Sequence, residues 1–156
     1  MYKIRPATLD DVDELTRLRL VFLEEVGNLS GEEIELRELG EAFGQYLRRK
    51  MPKGEFIAFV GVSEETGEIV ATSGVTFFER PPNGVNLAGL EAYLSNMYTV
   101  PDWRGKGLGT ALVAAVIKRV KETGARRIWL STTELGRPVY EKAGFVESKS
   151  DMELVW

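Results

Sequence analysis

The chain contains no cysteine and no histidine. Without cysteine, the protein has no disulfide, no thiolate metal site and no cysteine nucleophile. Without histidine, the Ser-His-Asp and Cys-His mechanisms and the usual zinc centres are also excluded, and we expect no metal. Any chemistry must therefore depend on carboxylates, tyrosine, lysine, serine, threonine or backbone groups.

Long hydrophobic runs and an excess of positive charge are also missing. No stretch approaches the roughly 20 apolar residues of a membrane-spanning helix, and the first residues carry no apolar core of a signal peptide. The formal net charge of −4 argues against general attraction to nucleic acid or anionic membranes. We therefore expect a cytoplasmic protein that binds neither nucleic acid nor membrane, in which any anion site is local.

The composition that remains is typical of a soluble globular protein. Hydrophobic residues make up 44% and charged residues 28% of 156 residues, which is about one domain in length. No repeat, low-complexity tract or long linker divides the chain. We therefore expect a single domain over residues 1–156.

Apolar periodicity and turn residues predict the element order β-α-α-β-β-β-α-β-α-β-β. The first strand is predicted over residues 1–5, and the second of the two helices that follow over residues 32–50. Near the end, the pattern predicts a strand over 127–131, a short helix over 137–142 and a terminal hairpin over 145–156. The expected class is α/β, with a mixed, mostly antiparallel sheet of about seven strands and flanking helices.

A glycine-rich run lies between a predicted strand and a predicted helix. It reads RGKGLG from Arg104 to Gly109, which fits neither the G-x-G-x-x-G dinucleotide fingerprint nor a Walker loop. Glycines allow close backbone approach, and the free N–H groups of a first helical turn attract an anion. Arg104 and Lys106 add positive charge. The run predicts a pyrophosphate site, and the alternative is a tight turn that binds no ligand.

The sequence around this run resembles a known family. The stretch LSNMYTVPDWRGKGLGTALV strongly resembles the acetyl-CoA-binding motif of the GNAT superfamily, the Gcn5-related N-acetyltransferases. The N-terminal IRPATLDDVDEL and the C-terminal GRPVYEKAGF resemble the start and the last signature of these proteins, so the resemblance covers nearly the whole chain. It implies acetyl transfer from acetyl-CoA to a primary amine by direct attack, without a covalent enzyme intermediate.

The resemblance also implies which residues bind the cosubstrate. In the family, the strand before the glycine run ends in a bulge and splays from its neighbour, and pantetheine lies in the gap. The backbone groups at that position belong to Tyr98, Thr99 and Val100. The residues implied for the CoA pyrophosphate, mainly through backbone amides, are Arg104, Gly105, Lys106, Gly107, Leu108, Gly109 and Thr110.

The catalytic residues are implied by the same resemblance. Tyr140, in the family's Y-x-x-x-GF signature, would protonate the departing thiolate; the alternative is a tyrosine that packs on the sheet. Many relatives have a glutamate as base where this chain has Leu94. Glu91 and Glu134 are the two candidates that could act through water, and a solvated surface position is the alternative for each.

The sequence gives two alternatives for the acceptor and two for the activity. Five glutamates lie around the link between the first two helices, where they would favour a cationic amine or would simply be solvated: Glu24, Glu25, Glu32, Glu33 and Glu35. The expected partners are acetyl-CoA and an amine acceptor, and a homodimer is left open. A second hypothesis is a non-catalytic CoA or acyl-CoA sensor with the same fold, which the missing strand glutamate favours.

Overall fold

The structure, a computed structural model, describes residues 1–27 and 35–156. Its strands are β1 Tyr2–Pro6, β2 Phe56–Ser63, β3 Ile69–Glu79, β4 Leu90–Thr99 and β5 Ile128–Trp129. Its α-helices are α1 Val12–Glu25, α2 Leu36–Lys50, α3 Leu108–Glu122 and α4 Arg137–Lys142. The predicted start of the second helix at residue 32 lies outside the described residues.

The strands form one mixed sheet in the order β1-β2-β3-β4-β5. The first four pair antiparallel, and β5 pairs parallel with β4. The predicted mixed, mostly antiparallel sheet with flanking helices is confirmed. Among the described residues, none of the helices is both long and apolar enough to cross a bilayer.

Both faces of the sheet are covered by helices. Alternate residues of β2, from Phe56 to Val62, pack with Leu15, Leu18 and Leu47 of α1 and α2. The opposite face packs against α3 in two further clusters of buried apolar residues, to which Leu112 and Val116 of α3 belong. Successive side chains of a strand point to opposite faces of the sheet, so α1 and α2 cover one face and α3 covers the other.

Close helix packing depends on one glycine in β2. A Cβ atom at Gly61 would overlap the side chain of Leu108, the first residue of α3. Leu108 is 1% exposed, so its side chain fixes the start of α3 against the sheet. The start of α3, which directly follows the glycine-rich turn, is therefore packed against β2.

The prediction of a terminal hairpin over residues 145–156 is wrong. The described chain has no strand after residue 142, and its sheet has five strands rather than about seven. A hairpin needs an apolar face packed on a core to offset its ordering entropy. The apolar residues of this segment instead remain exposed: Val146, Met152, Leu154, Val155 and Trp156.

Candidate active site

The sheet opens between β4 and β5. The two strands pair only at Ala92 with Ile128 and at Tyr93 with Trp129, so β4 has no partner on this side beyond Tyr93 within the part of the chain that is described. The β3–β4 register shifts where Thr72 faces Tyr98 and Gly74 faces Ser95, which adds one residue to β4. The bulge and the splayed strands that the resemblance implied are therefore present.

Asn96 lies in the bulge and adopts a left-handed backbone conformation with φ of 54°. Asparagine tolerates this region better than most residues. The residue is 4% exposed, and its Oδ1 has no hydrogen-bond partner among the described residues. Sequence reasoning missed Asn96, although an asparagine inside an apolar strand pattern is the signal that could have indicated a bulge.

The glycine-rich turn connects the end of β4 to α3. Gly105 and Gly107 have φ angles of 74° and 86°, a region that strains any residue with a Cβ atom. No backbone hydrogen bond between described residues uses an N–H group from Gly105 to Thr110 as donor. The Leu108 side chain is buried. Lys106 Nζ lies 4.6 Å from the centre of the Trp103 ring. These N–H groups and the helix dipole form a local positive pole.

The backbone at the end of β4 is already partly engaged. The Val100 N–H donates to the Val70 carbonyl at 3.0 Å, and the Val100 carbonyl accepts from Trp103 at 2.9 Å. The Thr99 carbonyl accepts from Arg104 Nε at 2.9 Å. The side chain of Tyr98 is buried towards α1 and packs on the Phe22 ring at 6.0 Å. The roles of Tyr98, Thr99 and Val100 in binding pantetheine stay predictions.

A cavity of about 640 Å³ lies on the α1 and α2 side of the open edge. Tyr93, Asn96 and Tyr140 line it together with residues of α1, α2 and the segment before α4. Burial, with a smaller contribution from Tyr93, raises the pKa of Tyr140 to about 12, so its phenol stays protonated at neutral pH. Its ring packs edge-on against Phe145 at 5.8 Å. The geometry supports both a proton donor and a packing residue.

Glu91 is buried rather than solvated, with 7% of its surface exposed. Its carboxylate forms ion pairs with Arg80 at 3.2 Å and with Arg127 at 3.5 Å. It does not line the cavity that contains Tyr140. Glu134 is exposed, and its carboxylate lies 3.7 Å from Arg137 Nε. Neither carboxylate is therefore placed in the cavity wall.

The predicted acidic rim is only partly present. Glu25 pairs with Arg104, Glu24 and Glu35 are exposed, and Glu32 and Glu33 lie outside the described residues. Instead, Arg19 of α1 lines the cavity. Sequence reasoning missed Arg19, although a charged residue inside the apolar stripe of the first helix was a usable signal.

The fold and the site define a mixed α/β protein with a glycine-rich turn beside a split in its sheet. The chain belongs to the acetyltransferase (GNAT) family, whose model matches residues 21–145. Its sequence is 26% identical over 147 residues to the glucosamine 6-phosphate N-acetyltransferase of Trypanosoma brucei brucei, covering 94% of this chain and 91% of that protein.

Solved structures show the same likeness. A predicted acetyltransferase from Clostridium acetobutylicum, crystallised with acetyl-CoA, superposes with a TM-score of 0.88 at 30% identity, covering 99% of this chain and 96% of that one. A GCN5-related N-acetyltransferase from Ralstonia eutropha JMP134 gives a TM-score of 0.83 at 24% identity, with 99% of each chain covered. The second comparison supports the fold alone.

Proposed function

We propose that residues 1–156 act as one N-acetyltransferase domain that moves an acetyl group from acetyl-CoA to a primary amine. The observation that carries this proposal is the open edge of β4. The glycine-rich turn lies at one end of that edge, and the cavity lined by Tyr140 lies beside it. A pyrophosphate on the turn and a thioester near Tyr140 would fit a cosubstrate extended along the strand, where its amides find backbone partners.

In this proposal the reaction is a direct transfer. The amine nitrogen attacks the thioester carbonyl, the new C–N bond forms and the C–S bond breaks. Tyr140 gives its phenolic proton to the departing thiolate and regains one from solvent, while the attacking nitrogen loses a proton to water in the cavity. The phenol of Tyr140 carries its proton throughout the neutral range, and burial, which raises its pKa to about 12, also makes it a weaker acid than an exposed tyrosine.

Glu91 stays a prediction as the base for the amine proton. Its carboxylate is paired with two arginines and lies outside the cavity wall, so it would have to act through water. Glu91→Gln tests this role. A base predicts that activity is lost while acetyl-CoA affinity is kept, whereas a purely structural ion pair predicts a lower melting temperature with kcat preserved.

One observation favours the second candidate, a non-catalytic CoA or acyl-CoA sensor. No carboxylate lines the described wall of the cavity, and Leu94 occupies the position where many relatives have a glutamate. A sensor would bind acetyl-CoA and release no thiol with any amine. The enzyme and the sensor therefore differ in one measurable step, the release of CoA thiol when an amine is added.

The experiment combines binding with turnover. Acetyl-CoA should raise the melting temperature, whereas NAD and ATP should have little effect, because only a ligand of the folded state stabilises it. CoA release is then followed across an amine panel that includes glucosamine 6-phosphate and a peptide with N-terminal alanine. The first is suggested by the Trypanosoma relative. The second is suggested by the ribosomal protein bS18-alanine N-acetyltransferase of Haemophilus influenzae, which is 39% identical over 59 residues, covering 36% of this chain and 40% of that protein. A larger shift with NAD contradicts the proposal, and binding without turnover favours the sensor.

A further inference from the structure

The cavity beside Tyr140 contains a single charged side chain within its described wall. Arg19, Phe22 and Leu23 of α1 line the cavity together with Val26, the residue that follows the helix. The other lining residues are aromatic, aliphatic, glycine or uncharged polar residues. The described wall therefore carries one positive charge and no negative one.

The Arg19 guanidinium lacks an anionic partner within residues 1–27 and 35–156. Most other arginines of the described chain form ion pairs with a carboxylate, as Arg17 does with Glu14 at 2.6 Å. Arg19 instead lies over the Phe43 ring, with its Cζ 4.8 Å from the ring centre. The ring face is attractive to a cation but does not replace a carboxylate or phosphate.

Partial burial makes this isolated cation costly. Desolvation lowers the pKa of Arg19, and the nearby phenols of Tyr46 and Tyr93 offset this only in part. A group whose charged form is destabilised by burial gains most from an anion that enters the same cavity. The guanidinium also presents a fork of N–H donors that matches the two oxygens of a carboxylate or phosphate.

We infer that the acceptor amine carries an acidic group, a carboxylate or a phosphate, which binds Arg19 while its amine faces the thioester near Tyr140. This inference rests on the proposed acetyl transfer and narrows its substrate class. It replaces the expectation of a purely cationic amine, because Glu24, Glu25 and Glu35, the described members of the acidic cluster, do not line the cavity. A cavity volume of about 640 Å³ suits a small metabolite that reaches from Arg19 to Tyr140.

The test uses pairs of amines that differ by one acidic group. The pairs are O-phosphoethanolamine with ethanolamine, glucosamine 6-phosphate with glucosamine, and β-alanine with β-alaninamide, so that phosphate and carboxylate are distinguished and each neutral member lacks an acidic group. Thiol release gives kcat/KM, and calorimetry on the protein saturated with CoA gives affinity without turnover. We expect at least one acidic amine to exceed its neutral partner by about 10- to 100-fold in both measurements.

Variants connect this preference to the side chain. Arg19→Met should remove the preference for the acidic member, and Arg19→Lys should keep part of it, because lysine retains the charge without the fork. Arg119→Met is the matched control, since Arg119 is exposed on α3 and pairs with Glu122. It should leave the preference unchanged.

The outcomes separate this inference from the proposed function. Equal kcat/KM for acidic and neutral amines overturns the inference and leaves acetyl transfer standing. So does an Arg19→Met variant that loses activity on both members of a pair equally, since that indicates a structural role. If no amine is acetylated although acetyl-CoA binds, the proposed function fails. Calorimetry then still decides the inference: Arg19-dependent binding of an acidic amine supports it, and absence of such binding overturns it.

Discussion

Arg104 Nη2 donates to both carboxylate oxygens of Glu25, at 2.7 and 2.8 Å. This contact joins the first residue of the glycine-rich turn to the C-terminal end of α1, a helix that also lines the cavity. The same guanidinium lies 5.5 Å from the centre of the Tyr98 ring. The residue proposed to attract a pyrophosphate therefore already has an anionic partner that competes for it.

Glu25→Gln should tighten acetyl-CoA binding. The substitution frees the Arg104 guanidinium for the incoming phosphate, and an exposed ion pair contributes about 0–1 kcal/mol, so the gain should be up to about fivefold. Calorimetry at low and moderate salt measures it. Glu14→Gln, which breaks another exposed pair on α1, is the control and should have no effect. Weaker binding in Glu25→Gln would mean that Glu25 positions Arg104 rather than competing for it.

Gly107→Ala should weaken acetyl-CoA binding by about tenfold or more. Gly107 has a φ of 86°, which strains a residue with a Cβ atom, so the substitution should shift the turn and its N–H groups. Gly124→Ala is matched in strain, with φ of 84° and open space around its Cβ, but lies at the far end of α3. Both variants should lose similar thermal stability, and only Gly107→Ala should lose affinity.

Gly109→Ala is the second control for the turn. A Cβ at Gly109 would lie 3.7 Å from the Val139 side chain, which is ordinary packing, and Gly109 has no positive φ. We expect nearly unchanged acetyl-CoA affinity and an unchanged or slightly higher melting temperature, since alanine favours a helix over glycine. If Gly107→Ala and Gly124→Ala lose acetyl-CoA affinity equally, the result argues against a pyrophosphate on the turn.

Tyr140→Phe should lower kcat by about 10² to 10⁴ while acetyl-CoA affinity barely changes. The variant removes the proton donor but keeps the ring that packs against Phe145. Steady-state kinetics with an acceptor that is turned over, together with calorimetry, measures both quantities. If the variant keeps more than half of the wild-type rate, Tyr140 is a packing residue and the thiolate takes its proton from water.

The raised pKa of Tyr140 predicts a loss of stability at high pH. In the unfolded chain a tyrosine titrates near pH 10, whereas burial raises the pKa of Tyr140 to about 12 in the folded protein. Between these values the unfolded state binds fewer protons, so the free energy of unfolding falls as pH rises. Urea unfolding at about pH 9 and about pH 11 should show a larger loss in wild type than in Tyr140→Phe. Parallel losses would contradict the burial of this phenol.

Local sequence signals were sufficient to predict the strands and helices that position the site. Alternating apolar residues, the glycine-rich run and the terminating glycines predicted the order of strands and helices as far as α4, whose bounds match residues 137–142. These signals work because strand alternation, helix caps and positive-φ glycines depend on the chain within a few residues. Family membership followed from the same short motifs.

Tertiary structure decided what lies in the cavity and what does not. The sequence by itself suggested glutamates near the acceptor and left Glu91 and Glu134 as candidate bases, but only packing paired Glu25 with Arg104 and Glu91 with two arginines. Only packing, likewise, left Arg19 facing the cavity and the C-terminal apolar residues exposed without a hairpin. Ion pairing and burial join residues tens of positions apart, and their free energies depend on distances that no local pattern encodes.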